Sequence, residues 1–432
     1  MLRVLAGWMV VIALIVSLGS LSAGAQQAAP KTDTVAITRS DAYTPHIPPR
    51  AITYIRTQRT LGLIGMVWNL WGMWLFVRTG GSVRLRDGVY RLIRKPLPEE
   101  DARPKYQALA IYYLLYTLIL LAWNMPFGLA ELATEWRYGF SHESLGAYLV
   151  DTGKSWGLGL LMIPLLSGIY WLVARSPRRW WVWMWALTLP FLIAIVVVEP
   201  QSHALHNTYA PLPQGPLRTR ILAIAARAGV PHAEILVEDT SRRTTHVNAY
   251  VNGLGPTAQI VLNDTAIQTL PEDQLLAMIG HELGHYVEKH IWYGVLSGTI
   301  GAGVFYYLAF RLWPALERRT RRSKTGMRGP SDLASLPLLL FYMQIAILAQ
   351  EPIANAESRY MEHRADAFGL RVTGLHDATA RLMVGFAERD FSDPDPPALL
   401  HFWFGSHPTL SERIAFALSG QVKPDVAPSP HP

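Results

Sequence analysis

The sequence predicts a mainly α, polytopic helical membrane protein of six to seven spans, with one small α+β domain outside the bilayer that carries a His-Glu-x-x-His helix. Three observations carry that reading. Apolar residues make up 50% of the chain and charged ones only 16%, a balance that suits helices facing lipid better than a soluble surface. The apolar residues gather in runs long enough to cross a hydrocarbon core, and many of the 15 Trp and 18 Tyr fall near the ends of those runs, where amphipathic rings settle at the interface. Hydropathy then falls between residues 200 and 290, where short alternating runs and turn residues signal strands.

Taken in order, residues 1–25 have a basic start, an apolar middle and a small-x-small end, the pattern of a secretory signal peptide or of a first span that is kept. Residues 26–58, with Pro30, Pro45, Pro48 and Pro49, read as an irregular extramembrane connector. Membrane spans occupy 59–199, with apolar runs at 61–77, 106–127, 156–174 and 180–198. Residues 200–290 form the extramembrane domain. Two more spans lie in 291–350, at 291–313 and 333–348, followed by an extramembrane helical part at 351–420 and a proline-rich tail at 421–432.

Loop charges set the topology. Arg84, Arg86, Arg91, Arg94 and Lys95 make the loop after the first run basic, and so do Arg178 and Arg179, and Arg318, Arg319, Arg321, Arg322 and Arg328, while the loop between the second and third runs has only Arg137 and Lys154 as Lys or Arg. The positive-inside rule puts 200–290 and 351–420 together on the outer side. The net charge of +7 is thereby accounted for by topology, so the partners implied are a lipid bilayer and a protein or peptide, and no nucleic acid. The oligomeric state is left open. Cysteine is absent, which excludes thiol catalysis, disulfides and Cys-ligated zinc.

Within the outer domain, 217–228 has helical spacing, and 234–238, 246–251 and 259–262 read as strands. Pro271, Glu272 and Asp273 start a helix expected to run to Lys289. On it, His281 and His285 lie one turn apart on one face, with Glu282 beside them. Two neutral imidazoles leave a zinc ion electron-poor enough to acidify a bound water, and a neighbouring carboxylate can take the proton. A third ligand has to come from elsewhere. Glu362 and Asp366, four apart on a second helical stretch, share a face from which one carboxylate would reach the metal and the other the reacting groups. A strand at 246–251 would hold a substrate backbone by β-augmentation. A scaffold or chaperone-like protein with a structural zinc is the competing reading; closed structural sites normally use four protein ligands and have no need of Glu282.

Six stretches in order carry a family resemblance: Glu135-Trp136-Arg137-Tyr138-Gly139-Phe140-Ser141; Pro211-Leu212-Pro213-Gln214-Gly215; Asn248-Ala249-Tyr250; His281 to His285; Asn355 with Ser358, Arg359, Glu362 and Asp366; and Ser406-His407-Pro408-Thr409-Leu410 with Glu412-Arg413. Over roughly residues 59–417 the chain resembles the type I CAAX prenyl endopeptidases, integral-membrane zinc metallopeptidases related to the bacterial heat-shock membrane proteases. The resemblance implies one Zn²⁺ per chain on His281, His285 and Glu362, with Glu282 as general base and Asp366 as proton donor or transition-state partner. It also implies Asn248 and Ala249 as substrate holds, with His407 and Arg413 lining the site. The family fold is a ring of seven spans around a water-filled chamber, which here requires residues 1–25 to stay as a span. One feature departs from the family: the eukaryotic enzymes face the cytosol, whereas these loop charges put the site outside, as suits a bacterial inner membrane with a periplasmic active site and membrane-associated or exported substrates.

Overall fold

The computed structural model describes residues 41–99, 103–203, 207–322 and 326–420. The signal-like stretch at 1–25, most of the expected connector and the 421–432 tail lie outside these residues. The described chain forms helices α1 (Pro49–Arg78), α2 (Gly81–Leu92), α3 (Tyr106–Tyr138), α4 (Leu145–Gly159), α5 (Met162–Arg175) and α6 (Trp180–His203). Strand β1 (Tyr209–Pro211), helix α7 (Pro216–Arg227), β2 (Glu234–Glu238), β3 (Ala249–Asn252), β4 (Gln259–Asn263) and α8 (Asp264–Thr269) follow. Then come α9 (Glu272–Val287), α10 (His290–Arg322), α11 (Leu336–Thr373), α12 (His376–Glu388), α13 (Ala398–Phe404) and α14 (Leu410–Leu418). The described residues divide into two compact units, one drawn from 41–60, 207–291 and 351–420, the other from 61–203 and 292–350.

Among the described residues, six helical segments are long and apolar enough to cross a membrane: Pro49–Arg78, Tyr106–Tyr138, Leu145–Arg175, Trp180–Val197, His290–Ala315 and Leu333–Thr373. These are the six expected spans, all but Trp180–Val197 longer than their apolar runs because helical hydrogen bonding continues past the lipid-compatible stretch. Three of the six have only 6% of their most apolar window buried against protein, and such side chains need lipid to cover them. In this unit, Tyr112, Tyr116 and Leu109 pack with Val89, Tyr90 and Leu336. Trp68 and Trp123 stack 4.4 Å apart at ring centroids, and each indole N–H donates to the other residue's backbone carbonyl.

One expectation fails at residues 49–58, read as connector and found as the first turns of α1. Pro49 sits at the helix start, where its missing N–H costs nothing, so the prolines mark an entry and not a loop. Thr53 and Thr57 donate their hydroxyls to the carbonyls of Pro49 and Thr53.

In the other unit a four-stranded sheet has the order β1-β2-β4-β3, with β2 and β4 parallel and the outer pairs antiparallel. β2 and β4 fall where the sequence places them, β4 one residue longer. β3 begins three residues later than expected, because the carbonyl of His246 is taken by the Thr265 hydroxyl and not by a strand. β1 was not foreseen: three residues are too few to show a period of two. The core lies between the sheet and α9, where Leu275, Ile279 and Leu283, one turn apart, are almost fully buried with Ile260, Leu262, Ile221 and Leu382. Burying that stripe turns the opposite face of α9, with His281 and His285, towards α11.

Candidate metal centre

α9 starts at Glu272, with Glu272 and Asp273 in its first turn and Pro271 at the cap position. It ends at Val287, two residues short of the expected Lys289, because Lys289 takes a left-handed conformation (φ 59°) that no helix can continue through. α11 crosses it closely. A Cβ on Gly284 would stand 2.9 Å from Ala365 Cα, and one on Gly369 would stand 2.8 Å from the His281 nitrogen. Glycine at both places lets the backbones approach until Glu362 reaches the two imidazoles.

At the crossing, His281 Nε2 and His285 Nε2 are 3.1 Å apart. Glu362 Oε2 is 3.3 Å from His281 Nε2, and Oε1 is 3.3 Å from His285 Nε2. Glu362 is only 7% exposed, and its Oε2 accepts no hydrogen bond despite burial. An unsatisfied buried carboxylate oxygen aimed at two ring nitrogens is costly unless a cation completes the group. Donors about 2.0–2.2 Å from a tetrahedral zinc stand roughly 3.3–3.5 Å from one another, close to the separations found. These three side chains therefore fit a metal ion.

Around them the remaining expected residues take distinct places. Asp366 Oδ1 is 2.8 Å from His281 Nδ1, on the side of the ring away from Glu362. Arg413 from α14 grips the same carboxylate with two hydrogen bonds, Nε to Oδ2 at 2.8 Å and Nη2 to Oδ1 at 2.7 Å. Asp366 and Arg413 are both under 10% exposed. The capping box of α14, where Thr409 and Glu412 bond reciprocally, fixes the turn from which Arg413 projects. His407 Nε2 lies 3.3 Å from Glu362 Oε1, its Nδ1 2.8 Å from the Ser406 hydroxyl. Burial raises the Glu282 carboxyl above its ordinary pKa, the two imidazoles partly opposing it. Ala249 is buried at the start of β3, the strand that packs beside α9, while Asn248 is exposed and its carbonyl accepts from the Asn263 N–H.

Sequence reasoning gave His290 no role. It is 6% exposed, and its Nδ1 lies 2.9 Å from Nδ1 of His285. Helical periodicity hides the pair, since five residues on an unbroken helix are about 140° apart; the signal was there only in a backbone break after the motif. Gly280, Gly284 and Gly369 were passed over as well, and small residues spaced one turn apart were the available cue.

Two imidazoles and a carboxylate converging on one point, with a further carboxylate next to the first histidine, are the donor set of a metallopeptidase, here in a membrane protein. The comparisons agree. Residues 31–204 match the model for the CAAX prenyl protease N-terminal region with its five membrane helices, and residues 211–420 match that for peptidase family M48. The uncharacterized metalloprotease YhfN of Bacillus subtilis is 31% identical over 345 residues, covering 79% of this chain and 80% of that protein. The CAAX prenyl protease 1 homolog of Arabidopsis thaliana is 29% identical over 328 residues, covering 72% and 75%. The crystal structure of S. mikatae Ste24p superposes with a TM-score of 0.78 over 95% of this chain and 97% of that one, at 19% identity, which is a likeness of fold. The chain belongs to peptidase family M48 and is an integral-membrane metalloendopeptidase. The scaffold and chaperone readings are thereby not favoured.

Proposed function

We propose that the metal is zinc, one ion per chain on His281, His285 and Glu362. We further propose that the enzyme cleaves membrane-associated or exported proteins on the periplasmic face of a bacterial inner membrane. The observation that carries the metal assignment is the mutual spacing of 3.1, 3.3 and 3.3 Å among two ring nitrogens and a carboxylate oxygen pair, together with the orphaned Oε2. When bound, zinc would polarise the scissile carbonyl and lower the pKa of a coordinated water towards about 7. Glu282 is the general base: burial makes its carboxylate hold a proton more readily, so it can take one from the attacking water and pass it to the leaving amine. Asp366, itself held by Arg413, fixes the ring of His281 through Nδ1 and leaves Nε2 for the metal. His407, anchored by Ser406, is placed to donate to the oxyanion that develops on the carbonyl.

β3 ends the sheet, so its outer edge is open to an added strand, and Asn248 and Ala249 would hold an extended substrate there. The orientation rests on the basic connecting segments at Arg84 to Lys95, largely the helix α2, at Arg178 and Arg179, and at Arg318 to Arg328, each between two spans. Two experiments test the reading. Fragments of exported proteins should accumulate with the wild type and not with Glu282→Gln, and an impermeant amine label should reach Lys289 from the periplasm. Labelling from the cytoplasm alone would reverse the orientation, and equal fragment patterns would remove Glu282 from the chemistry.

A further inference from the structure

On the far side of His285 the structure holds a second, unassigned buttress. His285 offers Nε2 towards Glu362, and its other nitrogen, Nδ1, lies 2.9 Å from Nδ1 of His290. The two rings stand nearly perpendicular, 4.9 Å apart at their centroids and 76° in plane. His290 is the first residue of α10, and only the left-handed turn at Lys289 brings it back against the helix it has just left. Had α9 run on, its ring would face about 140° away.

A hydrogen bond between two imidazoles needs one donor and one acceptor. If His285 gives Nε2 to a metal, its hydrogen must sit on Nδ1 and point at His290. His290 must then accept through a bare Nδ1 and carry its own hydrogen on Nε2. The nearest carboxylate to that nitrogen is Glu288, whose Oε2 lies 3.5 Å from His290 Nε2 without closing a hydrogen bond. Glu288 is in turn held by α11: the Arg364 Nε–H donates to Oε2, and Arg371 Nη2 lies 3.7 Å from Oε1. Arg364 is two residues beyond Glu362, so the helix that supplies the third ligand also fixes the carboxylate behind the second.

We propose that His290 is a positioning residue for the metal site, setting the tautomer and ring angle of His285 as the Asp366 carboxylate does for His281. The inference rests on the reading of His285 as a metal ligand. Both histidines of the motif are then clamped on their Nδ1 side, one by a carboxylate and one by a neutral imidazole. A neutral acceptor donates less electron density through the ring, so the two ligands are unequal in strength.

The test uses the full-length chain as wild type, His290→Leu and His290→Asn, with zinc affinity read by chelator competition and geometry read by the visible spectrum of the cobalt-substituted protein. His290→Leu fills the space without an acceptor and should lose about 10–100-fold in zinc affinity, with a changed cobalt spectrum. His290→Asn presents an amide oxygen near the place of Nδ1 and should return both towards wild type. Equal zinc affinity in wild type and His290→Leu would overturn the inference. So would an equal loss in both variants, which would reduce His290 to packing. A wild type that binds no stoichiometric zinc would instead take down the ligand reading, and this inference with it.

Discussion

Asp366 Oδ1 meets His281 Nδ1 at 2.8 Å while the opposite nitrogen of the same ring faces Glu362 at 3.3 Å, so one imidazole is shared between a carboxylate that aims it and a carboxylate that completes the site. On the proposed reading of His281 as a metal ligand, Asp366 stands behind it. Asp366→Asn keeps an acceptor of the same shape but removes the charge that Arg413 pairs with in a buried place. Zinc affinity should fall about 10–100-fold, and the unpaired guanidinium should cost about 3–5 kcal/mol of stability. Chelator competition and thermal unfolding check the two effects. An Asp366→Asn protein with wild-type zinc affinity and abolished cleavage would instead make Asp366 a direct participant in proton transfer.

Zinc loading should be steeply pH-dependent. Burial works against a charged His281, but hydrogen bonds to Asp366 and Glu362 outweigh it and lift its pKa to about 9 in the metal-free protein. A metal ion must displace that proton, so apparent affinity should rise about tenfold per pH unit from neutrality and level off above about 9. The metal-free fold shows the converse. A folded pKa raised above the unfolded value of about 6.5 contributes stability that is complete below pH 6.5 or so and is lost as pH climbs to about 9. Affinity that stays flat between pH 6 and 9 would contradict both.

The helix crossing gives a steric prediction. Gly284→Ala puts a methyl group 2.9 Å from Ala365 Cα and 3.0 Å from its carbonyl oxygen, both backbone atoms that cannot swing aside. Overpacking of that kind costs about 1–3 kcal/mol, and relief by parting α9 from α11 would move Glu362 off the imidazoles. The variant should lose stability and zinc affinity together. Gly88→Ala on α2, where a Cβ meets nothing within 4 Å, is the matching control, and should be neutral or stabilising by up to about 1 kcal/mol. Unchanged zinc binding in Gly284→Ala would show that the close approach is not what delivers Glu362.

The spans and the pairing of His281 with His285 were legible because each is written in a local period: apolar runs in one case, a one-turn spacing in the other. Glu362 was legible only through the second helical stretch four residues from Asp366, and nothing local said that the two helices would touch. That information lies in Gly284 and Gly369, whose meaning depends on the partner helix. His290 was hidden for a related reason, since a single positive φ at Lys289 changes which residues are neighbours. The connector reading of 49–58 failed because proline breaks a helix in its interior yet starts one at its first position. Asp366 and Arg413 were picked out as site residues, but their pairing with each other spans 47 positions and belongs to tertiary structure.

The membrane unit carries its own buried ion pair, and it can be tested apart from catalysis. Arg86 on α2 donates to Asp332, with the two side chains 5% and 3% exposed. Asp332 also accepts from the backbone N–H groups of Arg328 and Ala334, at 3.0 and 3.2 Å, and Arg86 reaches the Gly326 carbonyl at 3.3 Å. The carboxylate thus gathers the loop before α11 and ties it to α2. Asp332→Ala takes the acceptor from those donors and leaves the buried guanidinium only Asp87, 2.8 Å away, and the Gly326 carbonyl, which should cost about 1–3 kcal/mol and lower the unfolding temperature in detergent. Pairing it with Arg86→Leu removes the under-paired buried charge and leaves Asp87, 42% exposed, to water, so the double variant should be more stable than Asp332→Ala alone even though further native contacts are gone. If the two losses simply add, the pair is not energetically coupled, and the loop is held by its backbone hydrogen bonds instead.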